Sequence, residues 1–314
     1  MNDLHQSLAG FRISTGVVRR RDLMHLGAAH SALVEQDIPH WRSYTVSSSQ
    51  WGATNIYDWM VRSMALCWIP SECVVAVGDA GVGEPVRVRV YGGGRIIDEK
   101  FASGPDSPET RGPLREVRGI AGGRAYAVGA LRQAYRRDGP DHWTCIDTTA
   151  RPTSTDIITC FDSIDGFSET DIYAVGWGGE IWHYDGTHWE RIESGTNLDF
   201  HKVVCADDGY VYACGQVGTL IRGRGSDWDF IDHPWTGEDF WGIECFQGRV
   251  YVSTMHFVYE LVDGELSLVR FGDCAPPASC YHLSGRDGIL WSIGPTDVLQ
   301  FDGTTWTEII SLDV

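Results

Sequence analysis

Eleven histidines, nine cysteines and 43 Asp and Glu residues supply many reactive groups, yet their spacing commits to no chemistry. HExxH, GxSxG and Cys/His zinc spacings are all missing. His183 and His188 flank a hairpin and alternate with apolar residues, as surface or edge histidines do. Asp227 and Asp229, one residue apart, can chelate a cation weakly, but no EF-hand loop surrounds them. Residues 78–85, GDAGVGEP, are glycine-rich without the Lys-Ser/Thr or the following helix of a phosphate-cradling loop. No CxxC pair occurs. Cys67, Cys145, Cys160, Cys205, Cys214 and Cys245 sit in apolar, strand-like contexts, as small buried thiols do in a reducing compartment. Cys274 and Cys280 fall in a loop, where a bridge or a redox pair is the alternative. The expectation is therefore no catalytic residue, no metal and no cofactor.

The elements that would position any site come from a repeat. Residues 171–192, DIYAVGWGGEIWHYDGTHWERI, read as three short strands separated by a tight glycine turn and an Asp-Gly hairpin. Residues 157–161, IITCF, supply a fourth strand upstream. One small four-stranded sheet cannot bury both faces, so it needs copies beside it. Residues 289–310 repeat the Asp-Gly hairpin, with Trp306 four residues after Asp302. Residues 210–231 keep the glycine turn and Trp228, and residues 124–146 keep AYAVG and Trp143. Residues 249–269 place Leu266 or Leu268 near the Trp position, and residues 73–101 keep VVAVG with an altered hairpin. In the first unit, DLMHLG aligns with DIYAVG, and Trp41 follows Asp37 by four as Trp189 follows Asp185.

Seven units result, at about 10–46, 64–101, 114–147, 156–193, 200–232, 240–271 and 279–310. At roughly 45 residues each they match four-stranded propeller blades. The fold expected is all-β: a single seven-bladed β-propeller of four-stranded antiparallel blades, with residues 1–314 as one domain. In the first unit the strands are expected at residues 11–18, 23–26, 32–36 and 41–46. Residues 47–63 are left as a long aromatic-rich connection. Trp41, Trp143, Trp189, Trp228 and Trp306 then share one place on the outermost strand, filling the gap between blade edges. Gly129, Gly176 and Gly215 are turn glycines needing positive φ or close packing.

The charge is uneven. Residues 1–150 carry 17 Lys and Arg against 16 Asp and Glu, whereas residues 151–314 carry 8 against 27, so the whole −18 lies in the later blades. Such a field repels nucleic acid and anionic membrane and speeds encounter with a basic partner; the plainer reading is that it maintains solubility. The basic triplet Arg19–Arg21 reads as a solvated loop. No basic start with an apolar core opens the chain, and no apolar run approaches the ~18 residues of a membrane span. A cytoplasmic location follows as an expectation.

With strands named A to D outward from the hub, D–A and B–C connections emerge on one face of such a ring. Aromatic and acidic residues outside the repeat register fall in those connections. Trp51, Tyr57, Trp59, Trp177, Trp235, Glu238, Asp239, His256 and Asp273 are the candidate partner-binding residues. The alternative is that they cap the ring as a hydrophobic lid.

The AVGxxGxIxxYDGxxW pattern at residues 174–189 resembles the degenerate repeats of bacterial propellers of the Ycf48/BNR-like and kelch-like kind. That resemblance implies the propeller fold and leaves the activity open. No SxDxGxxW box is intact, so it implies no sialidase activity, and the Trp-Asp ending of WD40 repeats is missing. The function expected is non-catalytic binding of a basic protein partner through the loop face of the acidic half. A concrete form is an immunity protein occupying a bacterial toxin's active site, since toxins acting on nucleic acid or nucleotides present cationic clefts. The alternatives are a lyase or hydrolase with paired carboxylates in the central funnel, and a lectin. The lectin is the weaker of the two, because Trp177 has no counterpart in Val217 or Thr296.

Overall fold

A computed structural model describes residues 2–79, 86–121, 123–152 and 159–312. Its 28 strands form seven four-stranded antiparallel sheets, each from one continuous stretch of chain. Blade 1 comprises Phe11–Arg20, Leu23–His30, His40–Ser47 and Trp51–Tyr57. Blade 2 comprises Met60–Cys67, Cys73–Asp79, Val86–Gly92 and Arg95–Glu99. Blade 3 comprises Leu114–Gly119, Ala125–Gly129, Gln133–Gly139 and His142–Cys145. Blade 4 comprises Phe161–Ser168, Asp171–Gly176, Ile181–Tyr184 and Trp189–Ile192. Blade 5 comprises Phe200–Cys205, Val211–Gly215, Leu220–Arg224 and Asp227–Phe230. Blade 6 comprises Gly242–Phe246, Arg249–Ser253, Val258–Val262 and Glu265–Leu268. Blade 7 comprises His282–Arg286, Ile289–Ile293, Asp297–Phe301 and Trp306–Ser311. The seven-bladed propeller read from the repeats is the fold.

The core is divided among the wedges. Seven apolar clusters each join two neighbouring blades, and the last joins blade 7 to blade 1. A B strand lies between two neighbours and is buried on both faces, so it reads as an apolar run rather than an alternating one. Ile172, Tyr173, Ala174 and Val175 are all buried. No strand is exchanged to close the ring. Instead the Ile13 amide donates to the Pro295 carbonyl at 3.0 Å, the Val18 amide to Ser284 Oγ at 3.1 Å, and the Arg21 amide to Asp287 Oδ2 at 2.9 Å.

Blade 1 departs from the expectation. Residues 31–34 form a short helix instead of strand C, and Trp41 lies on strand C. The stretch read as a connection holds strand D, Trp51–Tyr57, and the start of blade 2 at Met60. Trp41 is buried against blade 2, edge-on to Trp59 at 5.0 Å. Trp306 instead faces blade 6, the preceding one. The two indoles are therefore not equivalent. Trp143 and Trp189 do share the Trp306 arrangement, each packed on the preceding blade, with Trp228 partly buried in the same sense. In blade 6 Leu266 is the buried residue and Leu268 is exposed. In blade 1 the equivalent wedge holds Trp51, partly buried at the start of strand D, and helix α1, Asn2–Leu8, whose Leu4 and Leu8 are fully buried among residues of blades 1 and 7.

Blade 4 also starts later than expected. Its strand A is Phe161–Ser168; residues 153–158 lie outside the described residues. That strand mixes Asp, Ser and Gly with its apolar residues because one side lines the axis. The repeated glycines serve close approach. Gly176 and Gly215 have extended backbones, with φ of −176° and −172°. A Cβ at Gly176 would lie 1.8 Å from the Cys160 carbonyl oxygen, and one at Gly215 2.0 Å from that of Asp199. The phosphate-loop candidate runs into residues 80–85, outside the described residues.

Candidate partner-binding face

The connection between blades 5 and 6 is held down along its length. His233 Nε2 lies 2.7 Å from the Gly218 carbonyl, and the Phe240 amide donates to the Gly215 carbonyl at 2.9 Å. The indole N–H of Trp235 donates to the Leu266 carbonyl at 2.5 Å, while half of the ring surface stays exposed. The loop thus presents Trp235, Glu238 and Asp239 from a fixed backbone. His256, on the B–C turn of blade 6, lies with Nδ1 3.3 Å from Glu238 Oε2, and Phe257 beside it is exposed.

Asp239 has a second duty. Its Oδ1 accepts the Val217 amide at 2.9 Å, as Asp199 Oδ1 accepts the Gly178 amide at 2.7 Å one blade earlier. Each acid immediately precedes a buried Phe, Phe200 or Phe240, and latches its blade to the B–C turn of the preceding one. Asp239 is therefore a repeat position, a fact hidden in the sequence because the latch joins residues 22 apart.

Val217, set against Trp177 in the sequence, matches Gly178 instead and was not among the candidates. It sits at φ 56° where blade 4 has Gly178 at φ 68°, and it is 61% exposed. A β-branched residue is strained there, and burial offers no compensation. Val217, Trp235 and Phe257 are exposed apolar residues on the B–C and D–A connections of blades 5 and 6, the same connections that carry Glu238, Asp239 and His256.

The other candidates disperse. Tyr57 is exposed on the same face, but on blade 1. Trp51 begins strand D of blade 1, beside the C–D turn, and so belongs to the opposite face; it is partly buried against the blade 1–7 core. Trp59 is core, buried against Trp41. Trp177 is half-buried, its N–H donating to Asp162 Oδ2 at 3.1 Å, with Arg115 5.4 Å over its ring. Its counterpart is Gln216, which bonds Asp199 from the same turn position. Asp273 is exposed between blades 6 and 7.

The axis carries the carboxylates that a funnel enzyme would need, and each is engaged. Arg118 reaches Asp165 Oδ2 and Glu244 Oε1, both at 3.4 Å, and Lys202 pairs with Glu116. Burial pushes Asp165 and Glu244 above the usual carboxylate range, with Arg118 opposing. Glu116 is held below it, because Lys202 and Arg118 outweigh its burial. At the mouth, His201 stacks on Trp241 at 4.1 Å and 6°, between Asp162 at 3.8 Å and Asp239 at 3.7 Å. Among the described residues no group of three or more His, Cys, Asp or Glu is placed to hold a metal, and no helix is long and apolar enough to cross a membrane.

No family model matches the chain. Its sequence is 42% identical over 300 residues to the immune protein Tsi7 of Pseudomonas aeruginosa, covering 94% of this chain and 96% of that protein. The chain belongs to the family of that immune protein. Similar solved structures include YCF48 bound to D1 peptide, at 14% identity and TM-score 0.60, covering 97% of this chain and 93% of that one. Another is the RRP9 WD40 repeats, at 10% identity and TM-score 0.64, covering 96% and 95%. At such identities these show the propeller fold alone. WD40 propellers stand among them although Trp-Asp does not recur here and occurs once, as Trp228-Asp229 on strand D of blade 5, because wedge packing rather than one dipeptide defines the architecture.

Proposed function

We propose that the chain is an immunity protein that binds and neutralises a basic toxin in the cytoplasm. The interface is the face of blades 5 and 6 formed by Val217, Trp235 and Phe257 with Glu238, Asp239 and His256. Membership of an immune-protein family supports the class of function. The observation that carries the site is Val217, a strained and exposed valine where the neighbouring blade has glycine. Strain at an exposed turn with no packing benefit is expected where a partner makes use of the side chain. The surrounding carboxylates and the −18 charge favour a cationic partner and hasten its approach at low salt. The nine free thiols suit a reducing compartment.

Recovery of a stoichiometric basic protein from the native host at low salt identifies the partner. Val217→Gly relieves the strain, so it should leave the melting temperature unchanged or raised while weakening the complex about tenfold, or ~1.4 kcal/mol. Glu238→Lys should slow association with little change in dissociation. Unaltered affinity in Val217→Gly and an unaltered on-rate in Glu238→Lys would move the interface elsewhere.

A further inference from the structure

Two of the nine cysteines are in contact. Cys67 ends strand A of blade 2 and Cys73 begins strand B, directly opposite each other in the antiparallel register. Their sulfurs are 3.4 Å apart, and both residues are buried. Directly opposed residues on antiparallel strands have Cβ atoms about 4.5–5.5 Å apart, whose short end meets the ~3.5–4.5 Å of a disulfide, so the bond closes by turning the two side chains and a slight approach of the strands. The intervening turn is exposed at Trp68, Pro70, Ser71 and Glu72, so the pair sits one residue inside a surface turn.

The surroundings make the two sulfurs unequal. Arg137 Nη1 lies 3.8 Å from Cys73 Sγ, held there by a buried two-pronged pair with Glu99, at 2.9 and 2.5 Å. The hydrogen bond from Cys67 lowers the Cys73 pKa to about 7, burial opposing and Arg137 assisting. The Cys67 thiol is pushed up, first by that same bond and then by burial. The other seven cysteines are all pushed up, with burial the leading cause in each. Cys73, with the fixed Arg137 guanidinium beside its sulfur, is the nucleophile and Cys67 the resolving thiol.

We propose that Cys67 and Cys73 form a redox site, a cross-strand dithiol that a peroxide converts into an intramolecular disulfide. The Cys73 thiolate attacks a peroxide oxygen; the O–O bond breaks, hydroxide leaves, and Cys73 becomes a sulfenic acid. Cys67 sulfur then attacks Cys73 Sγ, the S–O bond breaks, and the departing hydroxide takes the Cys67 proton to leave as water. Two thiols lose two electrons and two protons, and hydrogen peroxide is reduced to two waters. A water-sized oxidant suits a buried pair, whereas a bulky disulfide does not reach it.

The test uses the full reduced chain. It is treated with a small excess of hydrogen peroxide, quenched, unfolded and alkylated, and its thiols are counted by mass spectrometry with peptide mapping. The expected result is seven alkylated thiols in place of nine, the missing two joined between the Cys67 and Cys73 peptides and both restored by dithiothreitol. Cys67→Ser should trap the sulfenic acid on Cys73, captured by dimedone. Nine alkylated thiols after peroxide, or a bridge mapped to another pair such as Cys274 and Cys280, would overturn the proposal. The wild-type map decides by itself if the serine variant does not fold.

Discussion

Blade 4 and blade 1 fill the same kind of space with different material. In blade 4, Trp189 of strand D fills the wedge toward blade 3, its indole N–H donating to the Ile146 carbonyl at 2.9 Å. In blade 1, Trp51 opens strand D but is only partly buried against the wedge toward blade 7, and helix α1 adds the fully buried Leu4 and Leu8 there. The helix is tied down there by Tyr44 Oη, which donates to the Ser7 carbonyl at 2.9 Å, and by Arg42 Nη1 on the same oxygen at 2.9 Å. Wedges between radiating sheets widen outward and need volume at the rim. A buried Trp meets that need inside the unit, and at the seam a segment outside the repeat completes what the half-buried Trp51 leaves open. The ring therefore closes through an element with no copy elsewhere in the chain.

The comparison predicts a ranked set of effects. Trp189→Ala should have the largest, a loss of about 3–5 kcal/mol measured by urea unfolding. Leu8→Ala should cost about 2–4 kcal/mol if helix α1 completes the wedge that Trp51 only partly fills. A melting curve like wild type's would show that the seam closes without the helix.

Next comes pH. His25, buried in strand B of blade 1, has its pKa lowered to about 4 by burial, with Arg19 adding to the effect. The same strand in blade 4 has no histidine. The folded pKa lies below the unfolded value near 6.5, so the fold is fully stable above pH 6.5. As pH falls from 6.5 toward 4, the unfolded chain takes up a proton that the folded chain refuses, and stability drops by on the order of 2–3 kcal/mol. Unfolding titrations at several pH values should show that slope, and His25→Gln should reduce it, leaving the part due to His282, whose pKa burial lowers to about 3.

Gly176→Ala sets a new Cβ against backbone and should cost about 1–3 kcal/mol. Gly27→Ala in blade 1 meets side chains rather than backbone, Val61 at 2.7 Å, Thr15 at 3.1 Å and Trp41 at 3.5 Å, and should cost less. Equal losses would remove that distinction between the blades. Asp199→Asn weakens one latch and should cost the least, about 1 kcal/mol.

Blade count and blade type were legible because AVG, Asp-Gly and Trp recur at spacings that local backbone geometry demands. Blade 1 was misread for an equally physical reason. Its outer strand exposes residues 52–55 in succession, so SQWGATNIY shows neither alternation nor an apolar run. Trp41 follows Asp37 at the interval of a hairpin, but Asp37 closes a helical turn instead. Of the candidate site, Trp235, Glu238 and His256 are gathered on blades 5 and 6. Trp59 was drawn in by residue type alone, since an aromatic outside the register looks the same whether it faces solvent or a neighbouring indole, and Trp51 because the misread blade 1 hid that it opens strand D as Trp189 does. Val217 is an ordinary residue in a strand-rich sequence, and only its backbone conformation marks it.

Residues close in the chain decided that this protein is built of repeated four-stranded sheets and that its negative charge lies in its later part. Turn chemistry and strand propensity act over a few residues, so they are written locally. What fills each wedge, which acid latches which turn, and which aromatics share a surface were decided only by bringing distant segments together. Contact between residues far apart in the chain depends on how the sheets pack, and no local spacing encodes it.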